Sequence, residues 1–223
     1  MNYKIAIDGP SGTGKSTTAK ILAKKLSFIY IDTGAMYRAV GLYCVKNNID
    51  IDDEEEIKKH LDDIDINIFY KDGNQEIELN GEIVSKEIRE NLISHYASVV
   101  SQYKDVREKL VSLQQELAKK NSVIMDGRDI GTVVLPDADL KVFLIASDET
   151  RAERRYQELI EKGQTVEYDK ILEELKERDY RDSHRNNSPL KRADDAIELD
   201  NSNMTIDEVV EKILELFNKK VGK

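Results

Sequence analysis

A chain of 223 residues, 39% hydrophobic and 35% charged, can build one large α/β domain, or a core with insertions, under a heavily charged surface. Its net charge of −10 argues against nonspecific nucleic-acid binding, and no apolar run approaches the ~18 residues of a membrane span. Nothing near the N-terminus resembles a signal peptide, and the single cysteine, Cys44, has no internal partner and reads as a small core residue in a helical pattern. These features predict a cytoplasmic protein with no nucleic-acid or membrane partner, monomeric by default.

Taken in chain order, residues 3–8 read as a buried strand and residues 15–26 as a helix with Ala19, Ile21, Leu22, Ala23 and Leu26 apolar. Between them lies Gly9-Pro10-Ser11-Gly12-Thr13-Gly14-Lys15-Ser16, a complete GxxxxGK[ST] loop followed by Thr17. Strand, glycine loop and helix form the context in which this motif cradles phosphates on backbone N–H groups and a helix N-terminus. Lys15 then reaches the β- and γ-phosphates, and the Ser16 hydroxyl suits Mg²⁺. Residues 1–46 carry seven Lys/Arg against two Asp/Glu, a local cationic site suited to a small anion.

A second strand at 28–31 runs into Asp32-Thr33-Gly34-Ala35-Met36-Tyr37-Arg38 and a helix at 34–46. The end of such a strand faces ligands in open α/β sheets, but Asp32 or Thr33 serves equally as a helix cap. The acidic run Asp50 to Glu56 reads as the solvated start of a helix at 53–62. The βα rhythm then breaks. Ile64, Ile66 and Ile68 alternate with polar residues, Asp72-Gly73 signals a turn, Ile77 and Leu79 alternate again, and Asn80-Gly81 signals a second turn before Ile83-Val84. The pattern predicts a small antiparallel three-stranded sheet, an insert that is either decorative or bound up with a substrate.

Helices are predicted at 86–100 and 104–119, and a strand at 122–126. That strand ends in Asp126-Gly127-Arg128-Asp129-Ile130-Gly131. An acid at this place is the usual Mg²⁺-water contact, and the two glycines predict close backbone approach to a ligand. A strand at 140–145, helices at 148–161 and 168–185, a strand at 196–199 and a helix at 205–219 complete the pattern. In the 168–185 helix, Arg178, Arg181, Asp182 and Arg185 share one face, with Glu177 and Asp179 placed on others. Arg151, Arg154 and Arg155 repeat the pattern one helix earlier, and residues 161–168 between the helices read as a mobile flap. Such faces are either surface charge or phosphate clamps, and the guanidinium fork favours the clamp. With no NKxD-type guanine-reading motif, a GTPase is disfavoured. Small-molecule phosphoryl transfer, which asks for positioning, charge neutralisation and water exclusion, fits best.

The combination IDGPSGTGKS, DTGAMYR, Ser98 with Arg107, DGRDIGTVVLPDA and ERDYRDSHR closely resembles the bacterial cytidylate kinase family over essentially the whole chain. The resemblance implies a P-loop three-layer α/β/α fold with a central parallel sheet, a small antiparallel insert at about 60–100 that binds the nucleoside monophosphate, and a helical lid at about 152–182. It implies transfer of the ATP γ-phosphate to CMP or dCMP, with Mg²⁺. Carried over, Arg38, Arg128 and Arg185 hold the acceptor phosphate beside Asp32, Thr33 and Tyr37; Ser98, Arg107 and Asp129 read the cytosine edge; Arg178 and Asp182 hold the sugar hydroxyls; and Arg154 and Arg155 belong to the lid and help neutralise the migrating phosphoryl group. Thr33 stands where some members have serine, and Ser183 where some have another arginine. The alternatives are another nucleoside monophosphate kinase, with UMP or dTMP as acceptor, and a regulatory module that hydrolyses ATP slowly.

Overall fold

Short apolar runs and long amphipathic ones alternate along most of the chain, and the elements follow them. A computed structural model describes residues 2–71 and 74–222. The strands are β1 (Lys4–Asp8), β2 (Ile29–Asp32), β3 (Ile66–Lys71), β4 (Asn74–Leu79), β5 (Glu82–Ile83), β6 (Val123–Gly127), β7 (Leu140–Ile145) and β8 (Ile197–Asp200). The α-helices are α1 (Lys15–Leu26), α2 (Thr33–Lys46), α3 (Glu54–His60), α4 (Asn91–Val100), α5 (Lys104–Lys120), α6 (Asp148–Glu161), α7 (Tyr168–His184) and α8 (Ile206–Val221). The chain divides into two compact units, Met1–Tyr30 with Lys120–Lys223, and Ile31–Lys119.

The first unit is organised by a five-stranded parallel sheet in the order β2-β6-β1-β7-β8. The central strand β1 pairs Ile5 with Ile124 on one side and with Leu140 on the other. A strand covered on both faces must be apolar nearly throughout, and Ile5, Ala6 and Ile7 are all fully buried. Helices α1 and α8 pack Ala19, Leu22, Val209, Val210, Ile213 and Phe217 into the same core. A Thr205–Glu208 capping box starts α8, and Gly222 ends it in the left-handed conformation. Helices α6 and α7 form a hairpin with a miniature core of Ala152, Leu159, Ile171 and Leu175.

The second unit is built around α2, whose buried residues include Met36, Val40 and Cys44. The alternating segment forms the expected antiparallel sheet, order β3-β4-β5, with Ile66 opposite Leu79 and Ile68 opposite Ile77. Ile66, Ile77 and Leu79 reach the core of this unit. Asn80 and Gly81 both take positive φ, 51° and 84°, as a two-residue type I′ hairpin turn requires. The Asp72-Gly73 turn lies outside the described residues.

One local expectation is corrected, and one turn is unannounced. The helix predicted at 86–100 is a 3-10 turn, Glu87–Arg89, an extended Glu90, and then α4. The buried residues explain the break: Ile93, Ala97 and Val100 follow helical spacing, but Ile88 lies five residues before Ile93, out of phase with 3.6 residues per turn. The segment Ile130–Val134 is a π-helical turn that no periodicity announces.

Within the second unit, α2 and α4 approach at Gly41, where an added Cβ would lie 2.9 Å from the Tyr96 Cβ and 3.2 Å from the Ala97 N. Both neighbours are near the backbone and cannot swing away. Gly41→Val is therefore expected to overpack this contact and cost about 2–3 kcal/mol. Thermal denaturation checks it; an unchanged melting temperature would show that the helices part without cost.

Candidate active site

The phosphate loop of the first unit is shaped by three glycines at positive φ: Gly9 at 145°, Gly12 at 78° and Gly14 at 83°. A Cβ on Gly9 would sit 2.1 Å from the Leu144 carbonyl oxygen, so this position admits no side chain. Gly14 is the N-cap of α1 and offers no side chain to its first turn, which also holds no acid. The helix N-terminus is thus left to an exogenous anion.

Lys15 is buried, and its Nζ donates to the Pro10 carbonyl at 2.5 Å and to Thr13 Oγ1 at 3.2 Å. Burial, reinforced by the positive charge of Arg128, pushes its pKa well below that of a free lysine; Asp126, Asp8 and Asp179 oppose the shift. The Ser16 hydroxyl donates to Asp126 Oδ2 at 2.7 Å, while Tyr30 OH donates to Asp126 Oδ1 at 2.7 Å. A hydroxyl and a carboxylate oxygen side by side are hard donors that suit Mg²⁺, which keeps several waters and takes its remaining ligands from phosphates. The described residues contain no cluster of three or more acidic, histidine or cysteine ligands that would form an all-protein cage.

Beyond β6, Arg128 Nε donates to Asp182 Oδ2 at 2.8 Å, and Arg185 Nη2 to Asp129 Oδ1 at 3.3 Å. Burial works against the Asp182 carboxylate, but Arg128, Arg178 and Arg185 together hold its pKa below the usual range. Burial also works against the charge of Arg128, which Asp182 sustains and raises. The arginine face is therefore interleaved with acids. Helix α7 ends at His184, so Arg185 sits just past the helix with an extended backbone and also donates through Nε to the Ser188 carbonyl at 2.7 Å.

The α6 arginines separate by role. Arg151 is buried, pairs with Asp148 and Asp179, and donates to the Ser11 carbonyl at 2.8 Å. Arg154 donates to the Asn201 carbonyl at 2.7 Å and to its Oδ1 at 3.2 Å, while Asn201 Nδ2 donates to the Thr13 carbonyl at 2.7 Å. Arg155 pairs with Glu158 at 2.9 Å.

In the second unit, Asp32 is a helix cap and an ion-pair partner. Its Oδ1 caps α2 by accepting from the Ala35 N–H at 2.9 Å, and its Oδ2 pairs with Arg38 Nη2 at 2.9 Å. Thr33 is buried at the start of the same helix, and Arg107 lies over the Tyr37 ring at 5.4 Å from its centre. Arg107 Nη1 donates to the Ser101 carbonyl at 3.1 Å. Ser98 is 4% exposed, and its Oγ and the Arg38 Nε are buried without a hydrogen-bond partner among the described residues. Buried polar atoms of this kind call for a water or ligand partner.

Sequence reasoning missed Asp8, Arg151 as a loop tether, Asp179 and Asn201. Asp8 had a signal, as the polar last residue of an apolar strand immediately before the loop. It also corrects the reading of the second glycine, because Gly131 approaches the protein's own groups. Asp8 accepts from the Ile130 and Gly131 N–H groups at 2.8 and 2.7 Å, and a Cβ on Gly131 would meet the Lys141 stem at 3.1 Å.

Burial pushes the Asp8 pKa up to about 6 from 3.8, against the pull of those two N–H groups. A raised folded-state pKa gives stability that is complete below the unfolded pKa and is lost as pH rises through the folded one. The wild type is therefore expected to lose up to ~3 kcal/mol relative to Asp8→Asn between about pH 4 and pH 7. Denaturant titrations of both proteins at the two pH values measure this. A difference that stays constant across the window removes Asp8 as its source.

A sequence profile of the family described as cytidylate kinase matches residues 5–219. The chain is 56% identical to the cytidylate kinase of Caldicellulosiruptor saccharolyticus over 218 residues, covering 98% of this chain and 96% of that one. It is 53% identical to the cytidylate kinase of Lactobacillus johnsonii, over 99% and 96% of the two chains, and 48% identical to that of Bacillus subtilis, over 97% and 96%. Among solved structures, a gluconokinase from Sinorhizobium meliloti aligns with a TM-score of 0.51 at 14% identity, covering 97% of this chain and 92% of that one. A protein from Eubacterium ventriosum aligns with a TM-score of 0.53 at 15% identity, covering 98% and 99%. These two likenesses concern the fold alone.

Proposed function

The chain belongs to the cytidylate kinase family, and from that membership we propose that it transfers the γ-phosphate of ATP to CMP or dCMP, giving ADP and CDP or dCDP. The observation that carries the reading is the uninterrupted family match over residues 5–219. The charged groups described above supply the chemistry it needs. UMP and dTMP as acceptors are disfavoured by the same match.

Phosphoryl transfer asks the protein for position and charge rather than for covalent steps. Gly9 to Thr17 hold the ATP phosphates, with Lys15 donating to the β- and γ-oxygens. Ser16 and the neighbouring Asp126 would hold Mg²⁺, which would supply neutralisation of phosphate charge. Arg38, Arg128 and Arg185 are the residues assigned to the acceptor phosphate, with Asp32, Thr33 and Tyr37. Arg178 and Asp182 hold the sugar hydroxyls. Asp129, Ser98 and Arg107 read the base; the carboxylate accepts from the cytosine 4-amino group, and Arg107 donates to N3 and O2. The insert at about 60–100 is the acceptor-binding segment, and the α6–α7 hairpin is the lid, which brings Arg154 and Arg155 to the migrating phosphoryl group. No described helix is long and apolar enough to cross a membrane; the proposed enzyme is a cytoplasmic monomer acting on nucleotides.

Removing the ammonium with Lys15→Met is expected to lower kcat by roughly 10²–10³ without unfolding the chain. Coupled ADP release and a melting curve test both halves. A folded variant that keeps half its activity excludes Lys15 from the transferring site.

Uracil presents a carbonyl and an N–H where cytosine presents an amine and an acceptor. A carboxylate would face the carbonyl and a guanidinium the N–H. Two such mismatches should reject UMP by roughly 10²–10⁴ in kcat/KM. Asp129→Asn, whose amide can turn to donate, should narrow the gap mainly by losing CMP activity. The CMP/UMP ratio for wild type, Asp129→Asn and Arg107→Met decides it. A wild-type ratio near one, or an unchanged ratio in both variants, rules these residues out as base readers.

A further inference from the structure

The phosphate loop is already gripped by an acid. Asp179 Oδ1, projecting from α7, accepts from the Ser11 N–H at 3.1 Å, while its other oxygen pairs with Arg151. Arg151 closes the clamp by donating to the Ser11 carbonyl at 2.8 Å. Both polar backbone groups of one loop residue are thus held from the helical hairpin. The stem of Arg151 lies close beside the loop as well: a Cβ on Gly12 would stand 3.0 Å from the Arg151 Cβ. Nor is the Asp179 charge confined to this pair. It is close enough to Lys15 and to Arg128 to favour the charged form of each. One carboxylate therefore faces three cations and a loop amide, the partners that a nucleotide phosphate needs.

We propose that Asp179 is a built-in phosphate surrogate, a carboxylate seated on the loop that the pyrophosphate group of a nucleoside di- or triphosphate must displace. This inference rests on the reading of residues 9–17 as the donor-phosphate site. Its physical basis is competition. The Ser11 N–H is one donor, and a phosphate oxygen that takes it must expel the carboxylate. A polyphosphate placed beside a retained Asp179 would meet like charge in a partly buried setting. The surrogate also neutralises cations that would otherwise repel one another, so the loop stays formed and small stray anions are kept out. A polyphosphate with several charges outbids it where a single small anion does not. Asp179 is in these terms a specificity-determining residue of the donor site.

The test uses the full chain and inorganic pyrophosphate without divalent metal, with the dissociation constant measured by calorimetry. Asp179→Asn and Asp179→Ala are each expected to bind pyrophosphate about tenfold more tightly than wild type, and Asp179→Glu to stay within about twofold of it. Inorganic phosphate, a weak competitor of pyrophosphate on the wild type, should compete measurably on the Asn and Ala variants. If Asp179 serves only to hold Arg151 against the loop, both neutral variants bind pyrophosphate equally or more weakly, and the proposal is overturned. Should the variants fail to fold, the wild type answers alone. Hydrogen exchange of α7 near Asp179 should speed up when pyrophosphate binds, and unchanged or slower exchange overturns the proposal. Turnover of CMP by the wild type is assayed in parallel. Active wild type with unaffected variants defeats this inference alone, whereas a wild type that binds no pyrophosphate and turns over no CMP defeats the donor-site reading beneath it.

Discussion

Burying positive charge beside positive charge is the constraint on which the first unit is arranged. Lys15, Arg151 and Arg185 are all buried, and guanidiniums cannot shed their protons to escape the cost. Each is met by an acid placed from a different segment: Lys15 by Asp126 near the end of β6, Arg185 by Asp129 just beyond it, and Arg151 by Asp179 on α7. The parallel sheet makes this possible. Asp8 ends β1 and Asp126 lies one residue before the end of the adjacent strand β6, paired in register with Gly127 and Ile7 at the same C-terminal end of the sheet. Once those strands are fixed, the loop, the π-helical turn and α1 have little freedom left.

Burial constrains the acids as well, and it explains the Asp8 contacts. Asp8 is 4% exposed, and the two N–H groups its carboxylate accepts from are the free donors at the start of the Ile130–Val134 turn. The π-helical turn of Ile130–Val134 places these donors side by side. Free backbone donors at the start of a helical turn thus compensate a polar group that the parallel sheet forces into the interior.

Much of this was legible in the residues, for identifiable reasons. Most of the core strands are largely apolar runs, and the phosphate loop has fixed residues at fixed spacing. The Asn80-Gly81 turn is dictated by its positive φ values. Asp32 could be read as cap or ligand partner, and it both caps α2 and pairs with Arg38. What stayed hidden depends on partners distant in sequence. Helical periodicity placed Asp179 away from the arginine face, which is correct for the helix alone, but its partner Ser11 is 168 residues away. Asn201 joins Thr13 and Arg154 across 188 and 47 residues. The broken helix at Glu90 needed the buried phase of Ile88, which a count of apolar residues alone does not fix.

Cys44 carries a practical consequence. It is the only thiol in the chain, fully buried in α2, and burial pushes its pKa up to about 11. Thiolate, not thiol, reacts with alkylating and disulfide reagents, so the folded protein is silent toward them at neutral pH. Tyr180, 64% exposed on α7, stands one residue from Asp179. A cysteine introduced there becomes the sole reactive handle for a spin label or dye, with no need to remove the native one.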